Sequence, residues 1–145
     1  MPLEGEYEPS PWEPIATQVE QYEATGGTEG GVMEGAPCII LTTVGARSGK
    51  LRKTPLIRVT DGTSYAAVGS LGGAPASPQW VSNLEAEPHV ELQDGAVRRD
   101  YTARLAEGDE KARWWKIATA AWPSYDDYQA RTKRSIPLYI LEPRD

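Results

Sequence analysis

"CIILTTVGARSGKLRKTPLIRVTDGTSYAAVGS", residues 38–70, is the stretch on which the reading of the fold turns. Residues 38–44 form a nearly continuous apolar run, the pattern of a strand buried on both faces. "GARSGKL" (45–51) reads as a turn, with Gly45 and Gly49 available for positive φ. Residues 52–60 read as a second strand, in which Pro55 cannot donate to a ladder and so marks an edge or a bulge. Asp61-Gly62 is a hairpin signal, and "TSYAAVGS" (63–70) is the third strand.

Towards the N-terminus, residues 13–27 place Ile15, Val19 and Tyr22 at helical spacing, stopped by Gly26-Gly27. Residues 1–11, acidic and proline-rich, read as a poorly ordered arm. Towards the C-terminus, residues 71–88 read as a loop and a helix. Ser77 is its expected N-cap and Pro78 its first position; Trp80, Val81 and Leu84 form the apolar stripe, and Pro88 ends it. Two strands then flank an Asp94-Gly95 turn. In the second of them, Val97, Arg99, Tyr101, Ala103 and Leu105 share one side. A helix over 107–122 is expected to carry Trp115, Ala118 and Trp122 on one face. A short helix follows, with Ser124 as N-cap and Asp127 completing a capping box. Residues 136–143 close the chain as a strand.

The tally is six mostly antiparallel strands, with helices inserted after the third and the fifth. There is no β-α-β rhythm and no G-x-G-x-x-G, which disfavours a dinucleotide-binding doubly wound sheet. The expectation is an α+β chain: a small antiparallel barrel with helices packed around it. An arm and short helix over 1–30 precede a single barrel domain over 31–145.

Composition narrows the function. The 145 residues carry a net charge of −6, from 15 Lys+Arg against 21 Asp+Glu. Arg47, Lys50, Arg52, Lys53 and Arg58 fall within twelve residues, so a local basic cluster stands on an acidic background. Nucleic-acid binders are more often basic over a whole face, which argues against that partner. Cys38, the only cysteine, lies in an apolar run and reads as an inert core residue. With one cysteine and one histidine, His89, no cysteine-rich or histidine-based metal site is expected. No apolar run is long enough to span a bilayer and no secretory signal is visible, so a cytoplasmic chain is expected, with membrane contact peripheral if any.

Three features bear on chemistry. Clustered cations repel one another unless anions sit among them, and a glycine-containing hairpin tip bares backbone N–H groups. The turn is therefore either an anion site or a solvated surface paired with carboxylates from elsewhere. "GSLGGAPASP" (69–78) ends a strand in small residues and opens a helix, which permits close approach by a flat ligand. "AAWPSYDDYQ" (120–129) gathers Trp122, Tyr125 and Tyr128, either as core packing or as the wall of a pocket with phenolic donors.

Taken together, "LTTVGARSGKLRKTPL", "GSLGGAPASPQWVSNLEAEPHVELQDG" and "PSYDDYQARTKRSIPLYILEP" resemble the deazaflavin-dependent nitroreductase family of actinobacteria. The resemblance runs from about residue 36 to residue 143. It implies a split β-barrel that binds reduced coenzyme F420 and transfers hydride to quinones, activated alkenes or nitro compounds. By the same resemblance, Arg47, Ser48, Lys50, Arg52, Lys53, Thr54 and Pro55 contact the cofactor's phosphate and tail. Ser70, Leu71, Gly72 and Gly73 lie against its ring, with Trp80 and Asn83 at its edge. Trp122, Tyr125 and Tyr128 line the substrate pocket, and Tyr125, Tyr128 and Ser70 are the catalytic candidates. The partner is a small-molecule electron acceptor, and a homodimer is expected. An FMN-dependent reductase or oxidase of the same fold, and a non-catalytic F420 carrier, are the alternatives. Leu71 and Trp122 depart from relatives that have Lys and Tyr at those places.

Overall fold

The computed structural model describes residues 3, 5–33, 35–70 and 78–144. Leu71, Gly72, Gly73 and Ser77 therefore lie outside the described residues. The elements are α1 (Glu13–Thr25), β1 (Val32–Met33), β2 (Ala36–Val44), β3 (Leu51–Ile57), β4 (Tyr65–Val68), α2 (Gln79–Ala86), β5 (His89–Asp94), β6 (Val97–Leu105), α3 (Gly108–Ala121), α4 (Ser124–Arg131) and β7 (Leu138–Pro143). Among the described residues, no helix is long and apolar enough to cross a membrane.

The six longer strands run β3-β2-β5-β6-β7-β4, every pair antiparallel, and the two-residue β1 adds to the start of β2. The two end strands of this order, β3 and β4, are consecutive in the chain. They meet only at their connection, where Asp61 Oδ1 accepts the N–H groups of Thr63 and Ser64, Thr60 bridges Tyr65, and Ala66 N–H donates to Val59 O. Beyond that corner the ends diverge. The sheet is thus a barrel left split between β3 and β4.

Strand parity explains why β2 reads as continuously apolar. Ile39 and Leu41 face the inner core, with Val90, Leu92, Tyr101, Leu141 and the α2 stripe of Trp80, Val81 and Leu84. Cys38 and Ile40 face outward under α1, against Val19 and Tyr22. β7 is shared in the same way: Tyr139 and Leu141 point inward, while Leu138 and Ile140 meet α3 and α4. β6 is covered on one side only, so its buried residues, Tyr101 and Ala103, alternate with solvated ones.

Pro55 lies on an edge, as expected, since β3 pairs with β2 alone. Parity places its missing N–H on the open side. Leu51 turns its N–H and C=O outward to Glu6 O and Glu8 N, and Pro55 stands four residues on with the same orientation, so no ladder bond is lost. Those two bonds also correct the expected loose arm, because they tie residues 6–8 onto β3 with Tyr7 in parallel register to Leu51. Gly49 has the positive φ expected of it, at 70°. Gly45 does not; its role is space, since a Cβ there would lie 2.7 Å from Ser48 Oγ and 3.1 Å from Lys50 O.

Three helix expectations need correction. α4 begins at Ser124 with Pro123 in the cap position and no side-chain cap bond, so there is no capping box. On α3 the fully buried stripe is Trp114 and Ala118; Trp115 and Trp122 are only partly covered. α2 likewise starts one residue later than expected, with Pro78 at its cap position.

Burial leaves a signature in the tyrosines. The phenols of Tyr22, Tyr101 and Tyr139 are raised, chiefly by burial, and that of Tyr65 is pushed up to about 12 by burial and by Asp94. An unfolded tyrosine ionises near pH ~10, so above that pH the unfolded chain sheds protons that the folded chain retains. Stability is therefore expected to be insensitive to these groups below about pH 10 and to fall from there towards about pH 12. Denaturant midpoints followed against pH, with tyrosinate absorbance, check this. Full ionisation of the phenols at ordinary pH without loss of stability would contradict it.

Candidate functional site: a cavity in the split of the barrel

A cavity of about 670 Å³ occupies the split. Its volume falls within the range of small-molecule sites. Residues 54–57 of β3 form one side, and Val68 and Ser70 at the end of β4 form the other. Pro78 and Trp80 come from the start of α2, Trp122, Tyr125 and Tyr128 from the α3–α4 corner, and Trp12, Ile15 and Gln18 from the start of α1. Thr54, Pro55, Ser70, Trp80, Trp122, Tyr125 and Tyr128 are thus brought together around one space. Trp12 and Gln18 are contributions the sequence reading did not anticipate.

The aromatic corner exists because α3 ends at Ala121 and Pro123 caps a new helix in another direction. Tyr125, only 5% exposed, stacks edge-on to Tyr128 at 6.1 Å and lies 6.3 Å from Trp115. Its hydroxyl has no hydrogen-bond partner among the described residues. Burial, and then Tyr128, push this phenol well above its usual range, so it stays protonated and keeps a proton to donate. Trp122 Nε1 donates to the Tyr128 hydroxyl at 3.3 Å, which leaves the Tyr128 proton for another acceptor. Arg131 lies over the Tyr128 ring at 5.7 Å.

The basic turn lies outside the cavity, at the other end of β3. Lys50 meets Glu6 at 3.7 Å, Arg52 meets Glu8 at 3.1 Å and Arg58 meets Asp94 at 2.8 Å. Lys53 pairs closely with Glu23 of α1 and lies over the Tyr7 ring. Carboxylates from elsewhere therefore answer four of the five cations. Arg47, exposed at the tip, has no ion-pair partner among the described residues. Ser48 Oγ accepts the Lys50 N–H, while the Arg47 and Ser48 N–H groups have no partner among the described residues.

Asn83 does not reach the cavity lining. Only 2% exposed, it accepts the Ala46 N–H through Oδ1 and donates through Nδ2 to Thr43 Oγ1, both at 3.0 Å. Its amide is spent on pinning the basic turn to α2. Arg134 is a contributor that sequence reasoning missed: its Nη2 donates to Ser70 O at 2.8 Å, across 64 residues of chain. Nothing in the local pattern around it points to that contact.

The model of the F420H(2)-dependent quinone reductase family matches residues 15–143. The chain belongs to that family. Its members are F420H(2)-dependent oxidoreductases, so the split barrel, the coenzyme and the enzyme class expected from the resemblance all hold. An F420H(2)-dependent quinone reductase of Mycobacterium tuberculosis (strain ATCC 25618 / H37Rv) is 39% identical over 127 residues, covering 85% of this chain and 85% of the relative. A solved F420-H2 dependent reductase superposes with a TM-score of 0.70 at 48% identity, covering 73% of this chain and 94% of that one. A second solved chain, described as a domain-swapped dimer, gives a TM-score of 0.73 at 42% identity and covers 92% and 100% of the two chains.

Proposed function

We propose that the chain reduces an electron-poor acceptor, a quinone, an activated enone or a nitro compound, holding F420 by its anionic tail at the basic turn and by its flat head in the cavity. One observation carries the reading: β3 joins the two places. At ~3.3 Å per residue, Lys50 and Pro55 are ~17 Å apart along the strand, a separation suited to an elongated ligand with a planar end and a charged end. The residues fit such a group. The cavity wall is mostly apolar, with a few polar groups, among them Thr54, Ser70, Tyr125 and Tyr128. The tip offers Arg47 and two unpartnered backbone N–H groups to an anion.

When bound, the reduced deazaflavin supplies a hydride. The protein's part is to hold the acceptor flat against Trp122 and Tyr128, to exclude water with apolar walls, and to stabilise charge on the acceptor oxygen. Tyr125 is the donor for that oxygen, because its phenol stays protonated and unpartnered in a site of low polarity. Tyr128 stands beside it as a second donor oriented by Trp122. A homodimer, by analogy with the domain-swapped relative, and a cytoplasmic site of action belong to the same reading; sedimentation and cell fractionation test them.

The ion pairs at the turn set the terms of binding. Exposed pairs such as Lys50–Glu6 contribute only about 0–1 kcal/mol, whereas an Arg–phosphate contact is bidentate and stronger. A phosphate therefore displaces Glu6 and Glu8. Titration followed by tryptophan fluorescence, with F420 and FMN in parallel, should show F420 bound and Lys50→Ala/Arg52→Ala weakening it by about ten- to a hundredfold. Glu6→Gln/Glu8→Gln should tighten it a few-fold, an effect that fades towards ~1 M salt. No preference for F420 over FMN, or indifference to the paired cation loss, would overturn the reading. Tight binding without turnover of any acceptor would make the chain a carrier instead.

A further inference from the structure

The β4–β7 ladder ends at Val68 opposite Leu138, and one further bond, Gly69 N–H to Pro137 O at 2.8 Å, extends it. Packing there is close: a Cβ on Gly69 would lie 2.8 Å from Pro137 Cγ and 3.0 Å from Val81 Cγ2. The carbonyl of Ser70, a residue 7% exposed on the cavity wall, has no backbone donor among the described residues. Arg134 Nη2 takes that place at 2.8 Å.

Arg134 is itself held from α4. Gln129 donates through Nε2 to Arg134 O at 2.8 Å and accepts the Ile136 N–H through Oε1 at 2.9 Å, so both ends of its amide brace the segment before β7. Gln129 follows Tyr128 directly and lies one helical turn after Tyr125. A continuous set of bonds therefore runs from the tyrosine-bearing wall, through Gln129 and Arg134, to Ser70 just beyond the end of β4.

We infer that Arg134 is a positioning residue for the reaction: it fixes Ser70, and through Gln129 it sets the spacing between the Ser70 side of the cavity and the tyrosine side. The inference rests on the reading of the cavity as the F420 and acceptor site. Guanidinium suits the task because its donors are fixed in one plane, whereas an ammonium offers rotatable donors at a point. Lysine therefore keeps the charge and loses the geometry.

The test compares Arg134→Ala, Arg134→Lys and Gln129→Ala with the wild-type chain in three measurements: F420 affinity by tryptophan fluorescence, kcat and KM for a soluble naphthoquinone, and thermal unfolding. In Arg134→Ala, F420 affinity is expected to fall at least about tenfold, the loss of one charge-assisted hydrogen bond, with a fall in kcat. Millimolar guanidinium should restore part of both, and an alkylammonium ion should not. Arg134→Lys should fold normally and stay closer to the alanine variant than to wild type. Gln129→Ala should lower kcat more than it lowers F420 affinity. Wild-type affinity and kcat in Arg134→Ala, or full function in Arg134→Lys, would overturn the proposal; if the alanine variant does not fold, the lysine variant decides. A wild-type chain that does not bind F420 overturns the reading of the site itself, and the role of Arg134 with it.

Discussion

Tyr125→Phe is expected to lower the rate of quinone reduction by about a hundredfold, the usual loss when one preorganised donor to developing oxyanion charge is removed, at about 3 kcal/mol. The substitution isolates the hydroxyl. The ring remains, so packing against Trp115 and Tyr128 is retained, and the atom removed has no partner among the described residues. Stability should therefore change little, because the hydroxyl removed makes no hydrogen bond among the described residues. F420 affinity should be unchanged, which separates this variant from changes in the basic turn. The phenol is raised by burial and by Tyr128, so it remains protonated throughout the pH range of ordinary assays. Turnover should accordingly show no loss attributable to Tyr125 ionisation from about pH 6 to about pH 9. Stopped-flow hydride transfer measured against pH decides the matter. An unchanged rate in Tyr125→Phe would remove this residue from the chemistry and leave Tyr128 as the donor.

The largest effect on stability is expected at Trp114. The side chain is 2% exposed and packs in the outer core with Val68, Leu138 and Ile140, so it joins α3 to the β4–β7 pair. Trp114→Ala removes that contact and opens a cavity, at a cost of about 3–5 kcal/mol. Against a total of roughly 5–15 kcal/mol, this puts the fold near its limit. The melting temperature should fall by about 10 °C. Trp12→Ala, at a residue 64% exposed, should leave the denaturant midpoint almost unmoved. A loss below about 1.5 kcal/mol in Trp114→Ala would show that the α3 contact is not what holds this layer together.

The two adjacent tryptophans show where a sequence stops being sufficient. Trp114 with Ala118, and Trp115 with Ala118 and Trp122, both satisfy helical spacing, and one residue turns the apolar stripe by about 100°. Only the position of α3 over β4 and β7 selects the first. The basic turn is a similar case. Its charge and its glycines were legible, but the carboxylates that answer it are Glu6 and Glu8, on a segment whose own pattern suggested an unattached arm, with Glu23 on α1 and Asp94 on β5. Ser124 has the spacing of a capping box, yet Pro123 already occupies the cap position.

The succession of six longer strands along the chain, the open edge at Pro55, the two-faced burial of β2 and the gathering of Trp122, Tyr125 and Tyr128 follow from local pattern, because alternation, turn chemistry and helix stops act over a few residues. Where the cavity lies was settled by closure of the sheet, since only the curl that brings β3 and β4 together at one corner opens a split between them elsewhere. The partners of Asn83, Arg134 and the turn cations were likewise decided in three dimensions. Each is a polar group whose nearest complementary atom lies tens of residues away in sequence, and no short-range rule carries that information.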